Sequence, residues 1–312
     1  MHAIGVDIGG TKIAAGVVDD DGTVLARGRR DTDPHQPGEI ERHVVELVAE
    51  LAASYPVSAV GVAAAGFVSN DRSTVLFAPN IAWRDHALGD RLAESIGLPI
   101  VVENDANAAG WAEFRYGAGR GVTDMVMLTI GTGLGGAIVV DSRLLRGAHG
   151  VAAEIGHMRM VPDGHMCGCG HEGCWEQYAS GRALTRQARA AAVAYPDRAT
   201  ALLALAGGEA RKIKGPYVTQ VARQGDELGI ELLAELGTWV GQGIADVVAI
   251  LDPAVVVIGG GVSSADELLL GPAREAFEHS LSARGHRPEP RIVKAEMEND
   301  AGIVGAADLA RA

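Results

Sequence analysis

Apolar and small residues dominate 3–8 and 13–18 on either side of Gly9-Gly10, which predicts two strands joined at a glycine turn. Asp20-Asp21-Gly22 predicts the next reversal, so the chain opens as a β-meander. Ile40, Val44, Leu47, Val48 and Leu51 then recur at helical spacing between Gly38 and Ser54, and 57–63 reads as a buried strand. Further strands are predicted over 99–103, 123–130, 135–141, 254–258 and 291–295. Helices are predicted over 85–96, 105–116, 176–194, 227–250 and 265–283. This alternation is that of an α/β protein. Ile8, Gly9, Ala15, Val17, Val18 and Asp19 recur 122 positions later as Ile130, Gly131, Ala137, Val139, Val140 and Asp141, which suggests two lobes that each open with the same hairpin. A length of 312 residues accommodates two lobes, since single cores stop growing at roughly 250 to 300 residues, and a cleft is expected.

Composition narrows the partners. A net charge of −13 and the lack of any basic patch argue against nucleic acid and anionic membrane surfaces, which need cations to displace counterions. No apolar run reaches the ~18 residues of a membrane span. Met1 to Gly10 runs straight into a strand pattern, with no basic region or cleavage site, so a cytoplasmic protein is expected. The three cysteines, Cys167, Cys169 and Cys174, fall within eight residues and point to a metal site rather than a disulfide framework.

Two glycine turns offer convergent backbone N–H groups to an anion: Asp7-Ile8-Gly9-Gly10-Thr11-Lys12, and Gly131-Thr132-Gly133-Leu134-Gly135-Gly136 with its threonine hydroxyl. Together they suggest a grip on a polyphosphate. Gly131, Gly133 and Gly136 satisfy G-x-G-x-x-G, but Ala137-Ile138-Val139-Val140 is strand-like where a dinucleotide fold requires a helix. No Walker loop occurs. Gly259-Gly260-Gly261 follows an apolar strand and precedes a helix, which would let a base or ribose approach the backbone.

Phosphoryl transfer to an alcohol needs a carboxylate near the attacking hydroxyl. Asp105 is the candidate base, in Glu103-Asn104-Asp105-Ala106-Asn107, where a strand stops and a helix begins. Asn or Asp at this junction also fits an N-cap, and a helix N-terminus favours the ionised carboxylate. Asp7 is a candidate for holding a phosphate-bound Mg²⁺ through water. Cys167, Cys169 and Cys174 with His157 form a Cys₃His zinc set, with His165 and His171 as alternative fourth ligands. Glu154 lies three residues before His157 and Glu176 two after Cys174, so zinc would hold both carboxylates where they accept hydrogen bonds from a polyol.

These segments together resemble the ROK family of bacterial sugar kinases and sugar-responsive repressors. The resemblance rests on DIGGTK from Asp7, ENDANAAG from Glu103, the GTGLGG turn, the EIGHM segment, CGCGHEGCWE from Cys167 and the glycine triplet from Gly259. It implies the two-lobed actin/hexokinase-like (ribonuclease H-like) ATPase fold, with ATP and sugar in an interlobe cleft. The lobes would be 1–109 and 110–297, the second carrying the zinc segment, with a closing helix over 298–312 returning to the first. Asp105 would be the base, and Gly66, Asn104, Asp105, Glu154, His157 and Glu176 would contact the sugar, His157 serving zinc as well. Gly9, Gly10, Thr11, Lys12, Thr132, Gly133, Gly260 and Gly261 would hold ATP.

The activity so implied is transfer of the ATP γ-phosphoryl group to the 6-hydroxyl of glucose, with Mg²⁺ and a structural Zn²⁺, in a homodimer or homotetramer. Fructose, mannose, allose, N-acetylmannosamine and N-acetylglucosamine are the alternative sugars, and polyphosphate is an alternative donor. A sugar-sensing repressor would carry a helix-turn-helix before the first phosphate loop, where only six residues precede Asp7, and a noncatalytic sugar sensor would bind hexose without consuming ATP.

Overall fold

The computed structural model describes residues 1–311. Strands β1 (His2–Ile8), β2 (Lys12–Val18) and β3 (Val24–Asp31) form the opening meander, followed by α1 (Pro37–Ala52) and β4 (Val57–Ala64). Three short strands, β5 (Phe67–Val68), β6 (Val75–Phe77) and β7 (Arg84–His86), precede α2 (Leu88–Ile96), β8 (Ile100–Asn104) and α3 (Asp105–Tyr116). A second meander follows: β9 (Met125–Ile130), β10 (Leu134–Val140) and β11 (Arg143–Leu144). After the cysteine segment come α4 (Gly181–Ala194), α5 (Thr200–Leu205), α6 (Gly215–Arg223) and α7 (Glu227–Leu251). The chain closes with β12 (Val255–Gly259), α8 (Glu267–Ser280), β13 (Arg291–Lys294) and α9 (Ala301–Arg311).

The two five-stranded sheets repeat one topology, β3-β2-β1-β4-β8 and β11-β10-β9-β12-β13. In each, a glycine-turn hairpin lies on one side and parallel strands on the other. Helices α1, α2 and α3 hold the same places in the first order as α7, α8 and α9 in the second, which is the duplication that the 122-residue recurrence suggested. By contact the chain groups into two compact units. One comprises Met1–Thr123, Ala137–Ala153 and the chain from Glu296, and the other Asp124–Gly136 and Glu154–Ala295.

In the first unit, Ile4, Val6 and Ile8 of β1 pack with Ile13, Val17, Val60 and Val62 and with the five apolar residues of α1 that the helical spacing picked out. Each such side chain contributes about 1.5–3 kcal/mol of burial. Helix α9 joins this unit at close range: a Cβ at Gly5 would overlap the Ile303 carbonyl, and one at Gly61 the Ala306 carbonyl. The fully buried Glu113 of α3 fixes the approach to α9, accepting from the backbone N–H groups of Glu296 (3.1 Å) and Met297 (2.6 Å). No described helix is long and apolar enough to cross a membrane.

Several boundaries differ from expectation. The helix predicted from residue 85 starts at Leu88, because 84–86 pair with β6. The helix predicted from 176 starts at Gly181, capped by Ser180, whose Oγ accepts from Ala183 N at 3.2 Å; residues 175–177 form a separate 3₁₀ turn. Residues 298–300 likewise form a 3₁₀ turn before α9, and Ala312, the last residue of the predicted closing helix, lies outside the described residues. Within 195–216, which carried no readable motif, lie α5 and the start of α6.

Candidate active site and metal centre

Register in the first sheet gathers one half of the site. Asp7 pairs with Ala63 and Ala63 with Glu103, so β1, β4 and β8 end at a common edge. From that edge emerge the Gly9–Thr11 turn, Gly66 and the Asn104-Asp105 junction. The turn is closed by Gly9 N donating to Lys12 O at 2.9 Å.

The cap of α3 is Asn104, whose Oδ1 accepts from Asn107 N at 3.0 Å while its Nδ2 donates to Gly66 O at 3.0 Å. One Nδ2 hydrogen remains for a ligand. Asp105 is the first helical residue and is relieved of the N-cap role; its Oδ1 accepts from its neighbour Ala106 N at 3.0 Å. Burial pushes its carboxyl up to about 6, and the charge of Asp7 adds to the rise. Burial and the like charge of Asp7 outweigh the backbone N–H groups of Ala106 and Asp105, which favour the ionised form. Asp7 itself is raised by burial, against the pull of Lys12.

Sequence reasoning missed the support beneath this junction. Glu103, 3% exposed, accepts at Oε1 from Asn104 N and Asn107 Nδ2, both at 3.0 Å. Its Oε2 accepts from Arg146 Nε at 2.7 Å and faces Arg72 Nε at 3.8 Å. A glutamate opening the strand-to-helix motif was the available signal; its two arginine partners, Arg72 and Arg146, lie far from it along the chain.

In the other unit, β9 and β12 are paired so that Gly259 lies opposite Thr129, which sets the Gly131–Gly133 turn and the Gly259–Gly261 segment at one sheet edge. Gly131 N donates to Gly133 O at 3.0 Å. Gly260 has φ +83° and packs on the Ile130 backbone, where a Cβ would collide, so the strand exit requires glycine there.

The candidate metal ligands converge. One donor atom each from His157, Cys167, Cys169 and Cys174 lies within 4.8 Å of all the others. Cys169 Sγ and Cys174 Sγ are 3.5 Å apart, and Cys167 Sγ is 3.7 Å from His157 Nδ1. A tetrahedral zinc with Zn–S of about 2.3 Å places its sulfurs about 3.8 Å apart, so the donor set fits. Of the three candidate histidines, His157 is the one in this set; His171 Nδ1 lies 3.9 Å from Cys169 Sγ and the His165 ring lies tilted against Tyr178. With Nδ1 turned to the sulfurs, His157 Nε2 is 4.0 Å from Glu154 Oε2. Glu176 Oε2 accepts from Leu134 N at 3.1 Å.

The ROK family model matches residues 3–312. A glucokinase of Streptomyces coelicolor is 48% identical over 308 residues, covering 99% of this chain and 97% of the relative. An N-acetylmannosamine kinase of Citrobacter koseri is 33% identical over 312 residues, covering 100% and 99%. The crystal structure of a ROK family glucokinase from Streptomyces griseus in complex with glucose and AMPPNP is 50% identical, with a TM-score of 0.92 over 100% of this chain and 99% of that one. The α/β fold is accordingly the actin-like one of sugar kinases. With one family model spanning nearly every residue and relatives this similar over their whole length, the chain belongs to the ROK family.

Proposed function

We propose that this protein is an ATP-dependent glucokinase that transfers the γ-phosphoryl group of ATP to the 6-hydroxyl of glucose. The observation that carries the reading is Asp105, free of the N-cap role, at the same sheet edge as the Gly9–Thr11 turn, with its carboxyl raised to about 6. A group of that pKa is mostly ionised at pH 7 and still accepts a proton readily, as a general base must. The 48% identity to a glucokinase supports glucose over N-acetylmannosamine, whose kinase is 33% identical.

In the reaction, Asp105 takes the hydroxyl proton as the sugar oxygen attacks the γ-phosphorus and the phosphorus–oxygen bond to the β-phosphate breaks. Backbone N–H groups of Gly10, Thr11 and Lys12, in the turn that Gly9 N closes on Lys12 O, and of Thr132 and Gly133, would hold phosphate oxygens, and Gly260-Gly261 would back the nucleoside. Mg²⁺ neutralises charge on the phosphates when bound, and Asp7 is suited to hold it through water. Gly66, Asn104 and Asp105, with Glu154, His157 and Glu176, take the sugar hydroxyls. His157, Cys167, Cys169 and Cys174 would hold a structural Zn²⁺, which would fix the His157 ring and the chain that carries Glu176. A cytoplasmic homodimer or homotetramer supplying glucose 6-phosphate to glycolysis completes the proposal.

The test is ADP release from Mg-ATP with glucose, fructose, mannose, allose, N-acetylmannosamine and N-acetylglucosamine, with polyphosphate as a second donor. The highest kcat/KM is expected with glucose and ATP. A preference for N-acetylmannosamine would replace the substrate and keep the mechanism, whereas sugar binding without ADP from any hexose would remove the kinase reading.

A further inference from the structure

Glu176 is held by the metal segment and in turn holds the second glycine turn. Its Oε2 accepts the backbone N–H of Leu134 at 3.1 Å, and a Cβ on Gly133 would run into the same carboxylate. Just downstream, Gly181 N donates to Gly131 O at 2.8 Å and Arg182 N to Thr132 O at 3.3 Å. The stretch from Glu176 to Arg182 therefore occupies backbone groups of residues 131, 132 and 134. Upstream, Glu176 is separated from the metal ligand Cys174 by a single residue, Trp175, which is fully buried. Trp175 N donates to Met158 O at 2.8 Å, its Nε1 donates to Trp239 O at 2.8 Å, and its indole fills the space left by Gly243. The offset from Cys174 to Glu176 is thus set by a locked indole, and the 3₁₀ turn Trp175–Gln177 directs the carboxylate to Leu134.

We infer that Glu176 is a positioning residue for the Gly131–Gly133 turn, so that the metal segment sets the conformation of a phosphate-donor loop as well as presenting groups to the sugar. This rests on the reading of that turn as a phosphate site. The physical reason is that a turn whose N–H groups must face an anion keeps that arrangement only if the neighbouring backbone groups are satisfied elsewhere. The Leu134 N–H needs an acceptor oxygen, not a charge. A sugar hydroxyl bound by Glu176, by contrast, benefits from the full carboxylate. The two roles therefore separate under substitution.

The test is calorimetric binding of Mg-AMPPNP to zinc-loaded protein, with and without saturating glucose, for wild type, Glu176→Ala and Glu176→Gln, with zinc content measured in each. Glu176→Ala is expected to weaken nucleotide binding about tenfold, the scale of one buried N–H losing its partner. Glu176→Gln, whose amide oxygen can still accept, is expected to restore nucleotide affinity to within about threefold of wild type while glucose binding stays weak in both variants. Hydrogen exchange at the Leu134 amide should accelerate only in the alanine variant. Nucleotide affinity that is unchanged or tighter in Glu176→Ala, or equally lost in Glu176→Gln, overturns the inference. If Glu176→Ala does not fold, Glu176→Gln still decides: weakened glucose binding with retained nucleotide affinity supports the role, and joint loss overturns it. Wild-type protein that binds no AMPPNP in either condition removes the phosphate-site reading and the inference together.

Discussion

Asp105 illustrates how a single carboxylate is tuned by its neighbours. A pKa of about 6 means that kcat/KM should fall about tenfold per pH unit below pH 6, as the base becomes protonated. In Asp105→Asn, turnover should drop by ~10² or more and that acid limb should vanish, with sugar binding retained. A pH–rate profile of both proteins checks this, and near-normal turnover of the variant would remove Asp105 from the mechanism. The same shift has a stability consequence. Because the folded-state pKa lies above the ordinary value of 3.8, the native state binds more protons than the unfolded chain between about pH 4 and 6, and stability falls as pH rises through that window. Asp105→Asn should therefore be more stable than wild type at pH 7 by about 1–3 kcal/mol, with the difference shrinking toward pH 4. Denaturant titrations at the two pH values measure it; equal stabilities at pH 7 would show that the carboxylate is not strained.

Among the elements, the cysteine segment is the one whose order a bound metal would support most directly. Its bends are irregular, with 3₁₀ turns at Ile155–His157 and Trp175–Gln177 and isolated bridges in place of a sheet, so little regular backbone bonding supports it. Metal affinity and local folding should therefore be coupled. Cys169→Ser is expected to lose bound zinc, measured by metal analysis, and to bind glucose more weakly. A zinc-free variant with wild-type glucose affinity would separate the metal from the sugar site. The clustering of the three cysteines was legible here, because all three fall within eight residues. Spacing pointed to His157 but left His165 and His171 as alternatives, because the choice depends on the path of the chain between Met158 and Cys167. The short strands β5 to β7 escaped notice for a related reason: two or three residues carry no periodicity.

At the scale of the whole molecule, the repeated sheet order is accompanied by a return of the C-terminal helix to the first unit, and that packing depends on missing side chains. Gly61→Ala should cost more than about 2 kcal/mol, because the added Cβ meets the backbone carbonyl of Ala306, which cannot move aside as a flexible side chain can. Gly38→Ala, in helix α1 with nothing within 4 Å of its Cβ, should be neutral or stabilising by up to about 1 kcal/mol. Thermal unfolding of the two variants gives the comparison, and similar melting temperatures would show that α9 yields.

Periodicity and local chemistry along the chain sufficed for the α/β class, the two glycine hairpins, the helical face of α1 and a set of candidate residues for phosphoryl-transfer and metal chemistry. Those features are local: they depend on periodicity, on glycine's backbone freedom and on donor atoms a few residues apart. Tertiary structure alone decided that Asn104 caps while Asp105 does not, that Asp7 lies near enough to raise Asp105, and that Arg72 and Arg146 meet Glu103. It likewise decided that Glu176 reaches Leu134. Each of these involves sheet register, a helix start fixed to the residue or a turn of the chain between distant segments, and the electrostatics of such meetings follow distance in space rather than distance along the chain.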